Sequence, residues 1–233
     1  MTALALGLYL VGLLAVFGVR TWLHRRRTGS SGFHGISGPR GSLSWWAGIA
    51  FATALLLQLL AALLALLEVL PAPVEPARIA RSVGVAGLVL AVAGLMGTLA
   101  AQAAMGVSWR IGVDEDERTK LITSGVFAWV RNPVFTAMVT AQLGVGLMVP
   151  TVLSLAAVAL LVLAVQLQVR GTEEPYLLRT HGQHYASYAA RTGRFLPALG
   201  RMRSTGHDHG ARGEGRRSTS RRPDHHYEIM ETT

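Results

Sequence analysis

Four long apolar stretches constrain this chain more than anything else in it. Residues 4–19, 45–70, 83–105 and 134–169 run almost free of charge. One bilayer crossing takes about 20 such residues in a helix. Composition agrees, with 51% of the chain hydrophobic and 15% charged, where an ordinary soluble domain carries about a quarter charged residues. The sequence reads as an all-α, polytopic integral membrane protein with little soluble mass.

The last run is about twice the length one crossing needs. Val149-Pro150-Thr151 lies near its middle, and proline favours a break there. The run therefore divides into a tight hairpin, 133–149 and 151–169, which brings the expected number of membrane helices to five. The first run is not a signal peptide, because His24-Arg25-Arg26-Arg27 follows the apolar stretch instead of preceding it. Basic residues concentrate in the loop after the first helix, which holds Arg20, Arg25, Arg26, Arg27 and Arg40. A second concentration, after the third helix, holds Arg110, Arg118, Lys120 and Arg131. The positive-inside tendency then puts the N-terminus outside. The first loop, residues 106–132 and everything after 169 fall in the cytoplasm, in a multi-pass protein of the cell membrane.

The chain has no cysteine, which excludes disulfides, zinc thiolates and cysteine nucleophiles. Its net charge of +9 lies mostly beside the apolar runs and in the tail, an arrangement suited to anionic lipid headgroups rather than nucleic acid. Gly87, Ala91, Gly94, Ala93 and Gly97 put small residues on one helix at helical spacing, a packing face. Gln58, Gln102 and Gln142 are isolated amides expected to bond across helices. From about Gly200 onward Arg, Gly, Ser and His dominate, and disorder is expected. The pairs His207/His209 and His225/His226 lack the oriented setting a metal needs, so no metal site is assigned. Nothing fixes an oligomeric state.

Two polar segments flank the hairpin. The first, residues 105–135, contains the acidic run Asp114 to Glu117, then Leu-Ile-Thr-Ser-Gly-Val-Phe, then Arg131-Asn132-Pro133. Gly125 suits a turn that bares backbone N–H groups, and Pro133 suits the first turn of a helix. The second, residues 169–197, carries Arg170, Glu173 and Glu174, then Leu177, His181, Tyr185 and Tyr188 at the three- and four-residue spacing of an amphipathic helix. Gly182 predicts a kink in it. A tight hairpin brings Arg131, Asn132 and Phe135 near Arg170, Glu173 and Glu174. Acids for ribose hydroxyls or an ammonium, arginines for an anion and aromatic faces then meet beside helices that could admit a lipid chain. That combination describes a site for a polar cofactor and an amphipathic substrate.

Thr-Ser-Gly-Val-Phe-Ala-Trp-Val-Arg-Asn-Pro-Val-Phe, then Glu-Glu-Pro-Tyr and the closing Arg-Phe-Leu-Pro, resemble the isoprenylcysteine carboxyl methyltransferase family, part of a wider group that includes phospholipid methyltransferases. The likeness covers about residues 105–197. It implies methyl transfer from S-adenosylmethionine to a lipophilic small-molecule or lipidated substrate at the cytoplasmic surface. By motif position, Lys120, Leu121 and Ile122 correspond to the backbone stretch that holds the cofactor. Phe127 stands where the family has a cofactor-contacting tyrosine, and Asn132, Pro133, Val134 and Phe135 stand at its His-Pro-x-Tyr element. Glu173 matches a cofactor-binding glutamate, Asp114 fills a further cofactor position, and Arg170 lies near the arginine that holds the substrate carboxylate. Asn replaces His at 132, and Phe replaces Tyr at 127 and 135, which removes two hydroxyl contacts. The chain then divides into two N-terminal helices with a basic loop (1–81), a methyltransferase core (82–197) and a tail (198–233).

A carboxylate acceptor needs no general base, only positioning and exclusion of water, with Arg170 or Arg131 as its anchor. An ammonium acceptor needs a base, for which Glu174 and His181 are the candidates. Two competing expectations are an NADPH-dependent membrane reductase of the sterol-reductase type and a non-catalytic membrane scaffold. Paired glutamates suit a cationic cofactor better than one bearing phosphates.

Overall fold

The computed structural model describes residues 1–29, 38–70, 77–106 and 121–202. Among them the chain is helical, and extended pairing is limited to one bridge between Val130 and Gly193. The first span runs from α1 (Thr2–Leu13) through a π-helical turn, π1 (Leu14–Val19), into α2 (Arg20–Thr28). It is followed by α3 (Leu43–Leu66) and α4 (Ala77–Met105), then by α5 (Pro133–Met148) and α6 (Val152–Gln168). A second π-helical turn, π2 (Val169–Glu173), leads into α7 (Glu174–Arg191). Among the described residues four helices are long and apolar enough to cross a membrane, and Pro133–Met148 is a shorter apolar helix. Its 16 residues reach about 24 Å at 1.5 Å per residue, short of a hydrocarbon core of about 30 Å. Spans of this composition make the chain an integral membrane protein.

Local chemistry sets the starts of α3, α5 and α6. Ser42 caps α3 by accepting from the Trp45 N–H at 3.2 Å. Pro133 occupies the first turn of α5. After the break at Val149–Thr151, the Thr151 hydroxyl accepts from the Ser154 N–H at 3.1 Å and starts α6.

The hairpin is tight at its turn, yet its two helices pack mainly on different partners, α5 on α4 and α6 on α3. The small-residue face of α4 explains the first pairing. A Cβ added at Gly87 would lie 2.7 Å from the Gly144 carbonyl oxygen, and one at Gly94 would lie 2.7 Å from the Ala137 carbonyl oxygen. The two backbones approach as closely as glycine permits. Between α3 and α6, Gln58 Nε2 donates to Ser154 Oγ at 3.2 Å, and Ala54 packs with Leu161, Val165 and Val169. Gln142 Nε2 donates to the Ala157 carbonyl at 3.0 Å and Gln102 Nε2 to that of Val16 at 3.3 Å. The isolated amides do bond across helices.

Several contacts align one end of the bundle. Arg20 at the start of α2 donates to the Gln102 carbonyl, at the end of α4, at 2.7 Å. Gly171 in π2 packs against Leu43, the first residue of α3.

Candidate active site at the polar end of the bundle

The polar end is assembled from the segment entering α5 and the segment leaving α6. Residues 121–123 form neither helix nor strand, Ser124 is extended, and a 3-10 turn, Gly125–Ala128, follows. Gly125 has φ +61°, the left-handed conformation that glycine adopts without a Cβ clash. The chain then runs alongside residues 193–194. Arg131 N–H donates to the Gly193 carbonyl at 2.8 Å and Asn132 N–H to that of Arg194 at 3.1 Å. Thr136 Oγ1, one turn into α5, donates to the Phe195 carbonyl at 2.8 Å.

A buried ion cluster locks these strands of chain to α7. Glu174 Oε1 accepts from Arg131 at 2.7 Å and from Arg194 Nε at 2.7 Å, and its Oε2 accepts from Arg194 at 2.9 Å. Arg131 also donates to the carbonyls of Ala189 at 2.7 Å, Thr192 at 2.9 Å and Gly200 at 3.1 Å. The Arg131 side chain is 1% exposed, that of Glu174 6% and that of Arg194 17%. Charges this deep are retained only with partners on most of their donors and acceptors, which these have.

The tyrosines of α7 complete the joint. Tyr188 donates to the Phe127 carbonyl at 2.6 Å, and Tyr185 and Tyr188 pack with Leu121, Leu177 and Met202. Burial raises the Tyr188 pKa to about 12, with Arg131 opposing. Burial also raises that of Tyr185, reinforced by Glu174 and opposed by Arg131. Both phenols are therefore neutral at ordinary pH. Gly182, at φ 50° and ψ −129°, breaks the helical path of α7 as its sequence predicts.

The residues singled out from sequence fall into three groups. Arg131 and Glu174 are joined directly to each other, and Glu174 is joined also to Arg194. The Arg131 terminal nitrogens point at protein acceptors instead of an open site, and both Glu174 oxygens are engaged. Arg170 is exposed and Glu173 half-buried, at π2 beside this cluster. Among the rest, Phe127 is buried, and Asn132 gives its side-chain N–H to the Arg194 carbonyl at 3.1 Å. Pro133 is buried and Val134 half-buried. Phe135 turns into the bundle and meets Phe51 edge-on, ring centres 6.3 Å apart. Leu121 and Ile122 are half-buried just before the 3-10 turn. Asp114 and Lys120 lie outside the described residues, as do the four tail histidines. Packing continues past residue 197 to Met202, whose N–H donates to the Ala189 carbonyl at 3.0 Å.

Sequence reasoning gave Arg194 no role, although it stands in the closing Arg-Phe-Leu-Pro. Nothing local marks it, because its partner Glu174 is twenty residues earlier.

An apolar recess of about 60 Å³ lies elsewhere, among α1, π1, α3, α4 and α5, and shares no residue with the polar end. No curated protein matches the chain. Residues 76–184 match the family model described as phospholipid methyltransferase, a span that includes α5, α6, π2, Arg131, Glu173 and Glu174 and stops before Arg194. Residues 76–184, just under half of the chain, are thus similar to the phospholipid methyltransferase family, the one that includes the isoprenylcysteine carboxyl methyltransferases, and the match supports a membrane methyltransferase.

Proposed function

We propose that the protein transfers a methyl group from S-adenosylmethionine to the carboxylate of a lipophilic acceptor, at the cytoplasmic ends of its membrane helices. One observation carries this reading. The segment from Leu121 to Phe135 and the segment around Glu173, both within the family-matching region, are fastened side by side by the Arg131–Glu174 pair. The residues fit such a cofactor in kind. Glu173 offers a half-buried carboxylate, the complement of a sulfonium, an ammonium or ribose hydroxyls, and the Gly125 turn and residues 121–123 offer backbone groups.

The cofactor supplies an electrophilic methyl. Attack by a carboxylate oxygen makes the C–O bond as the C–S bond breaks, the electron pair stays on sulfur, and no proton moves. The chain needs only to hold the two reactants in line and exclude water. Arg170 is the acceptor's anchor, since it is exposed at the polar end while Arg131 is occupied by protein groups. A carboxylate acceptor also agrees with Glu174, whose two oxygens are already bonded to guanidinium groups.

Calorimetry of the purified protein in detergent with S-adenosylhomocysteine and NADPH in parallel tests the cofactor. Binding of the first alone is expected, and binding of NADPH alone would reassign the protein to reductase chemistry. For the acceptor, Arg170→Ala is expected to lower turnover about ten- to hundred-fold while sparing cofactor affinity, since a charged hydrogen bond contributes about 1.5–3 kcal/mol. Unchanged turnover removes Arg170 from the site.

A further inference from the structure

The inward stripe of α6 continues through π2 with a change of step. Leu161, Val165 and Val169 are buried at intervals of four, and the next buried position is Glu174, five residues on. The extra residue is the one a π-helical turn inserts, and such turns cluster at functional sites because they are costly to keep. An uninterrupted α-helix would put Glu173 four residues after Val169, on the inward stripe. It would turn Glu174 away by about 100°. Two adjacent glutamates thus compete for one inward position, and the turn decides between them.

The turn is held from both sides. At Gly171 an added Cβ would come within 3.2 Å of Leu43 Cγ, so the chain lies tight on α3. At Glu174, Arg194 holds both carboxylate oxygens in a two-pronged grip while Arg131 takes one. Arg131 is fixed by three further carbonyls. Arg194 belongs to a short loop closed on itself, with its N–H on the Leu199 carbonyl at 2.8 Å and Ala198 at φ +65°.

We propose that Arg194 is a positioning residue for methyl transfer: by gripping Glu174 it selects the π-helical register that keeps Glu173 off the inward stripe and on the face where the cofactor is proposed to bind. The inference rests on the assignment of Glu173 as a cofactor ligand. Without the Arg194 grip, π2 relaxes toward α-helical register, Glu173 rotates toward Arg131, and the cofactor loses its carboxylate.

A thermodynamic cycle on full-length protein in detergent tests this, with S-adenosylhomocysteine affinity as the readout and Arg194→Gln, Glu173→Gln and their combination as the variants. Each single change is expected to weaken binding about tenfold, and the double variant about as much as one alone, because the two act on the same contact. Arg194→Lys, which keeps the charge but not the fork, is expected to fall between wild type and Arg194→Gln. A purely structural Arg194 would lower the melting temperature and let the two losses multiply to about a hundredfold. Multiplying losses, or an Arg194→Gln protein that binds like wild type, overturn the proposal. If Arg194→Gln does not fold, the same cycle with Arg194→Lys decides by the same criterion. Failure of the wild-type protein to bind S-adenosylhomocysteine would instead overturn the cofactor assignment itself.

Discussion

The start of α5 and its middle are held by opposite kinds of contact. Along its middle, α5 meets α4 through Gly144 and Ala91, Ala141 and Gly94, with backbone against backbone. At its start, Arg131 and Asn132 are tied to residues 189–200 by hydrogen bonds and to Glu174 by charge. Lipid explains the first arrangement. Apolar side chains gain nothing by leaving an apolar solvent, so helices associate there through close packing. At the polar end water competes for every donor and acceptor, and order comes from directional bonds in a desolvated cluster. One region tolerates no added volume, and the other no lost partner.

The largest expected effect attacks the packed region. A side chain at Gly144 would have its Cβ 2.6 Å from the Gly87 carbonyl oxygen and 2.7 Å from Ala91 Cα, both parts of the α4 backbone. Neither can yield as a flexible side chain would. Gly144→Leu should force the two helices apart and cost several times the about 1–3 kcal/mol of ordinary overpacking. The expected result is loss of monodisperse protein on size exclusion in detergent. A Gly144→Leu protein that purifies and melts like wild type would mean α4 and α5 are not in backbone contact.

Next comes removal of a partner from the polar end. Glu174→Ala would leave two guanidiniums together with no carboxylate. Breaking a buried pair this way costs about 3–5 kcal/mol, and the 17% exposure of Arg194 should put the result toward the lower end. Denaturant titration followed by tryptophan fluorescence measures it. A cost under about 1 kcal/mol would mean that water screens the cluster, and the contrast between the two regions would shrink.

The packed region was far more legible in the sequence than the polar end. Apolar run length gave the helices, Pro150 the hairpin turn and Pro133 the start of α5. The helical spacing of Gly87, Ala91 and Gly94 gave the packing face. Gly125 and Gly182 also behave as their missing side chains suggest, because backbone freedom is a property of the residue itself. What failed to show was who would occupy Arg131. Its charge suggested an anion ligand, whereas the fold gives it Glu174 and three carbonyls that lie 43 to 69 positions away. The π-helical turn was hidden as well, since its five-residue step appears only once burial is known. The hairpin's splay, with α5 on α4 and α6 on α3, depends on which faces meet, and a count of apolar residues does not encode that.

The smallest effect probes a neutral bond inside the charged region. Tyr188 donates to the Phe127 carbonyl at 2.6 Å and ties α7 to the turn that follows Gly125. Tyr188→Phe keeps the ring and leaves that carbonyl unpaired, which should cost about 1 kcal/mol at neutral pH. Titration makes the bond separately visible. Burial raises the Tyr188 pKa from 10.0 to about 12, so the folded protein favours the protonated phenol. Its stabilisation is complete below pH 10 and is lost as pH climbs from 10 through about 12, where the unfolded chain has already released the proton. Thermal melts across this window should therefore fall more steeply for wild type than for Tyr188→Phe. Tyr185, with its own raised pKa and its ring 6.1 Å away, should leave a residual slope in the variant. Parallel curves would show that Tyr188 ionises alike in both states, and the polar end would then be held by its charges alone.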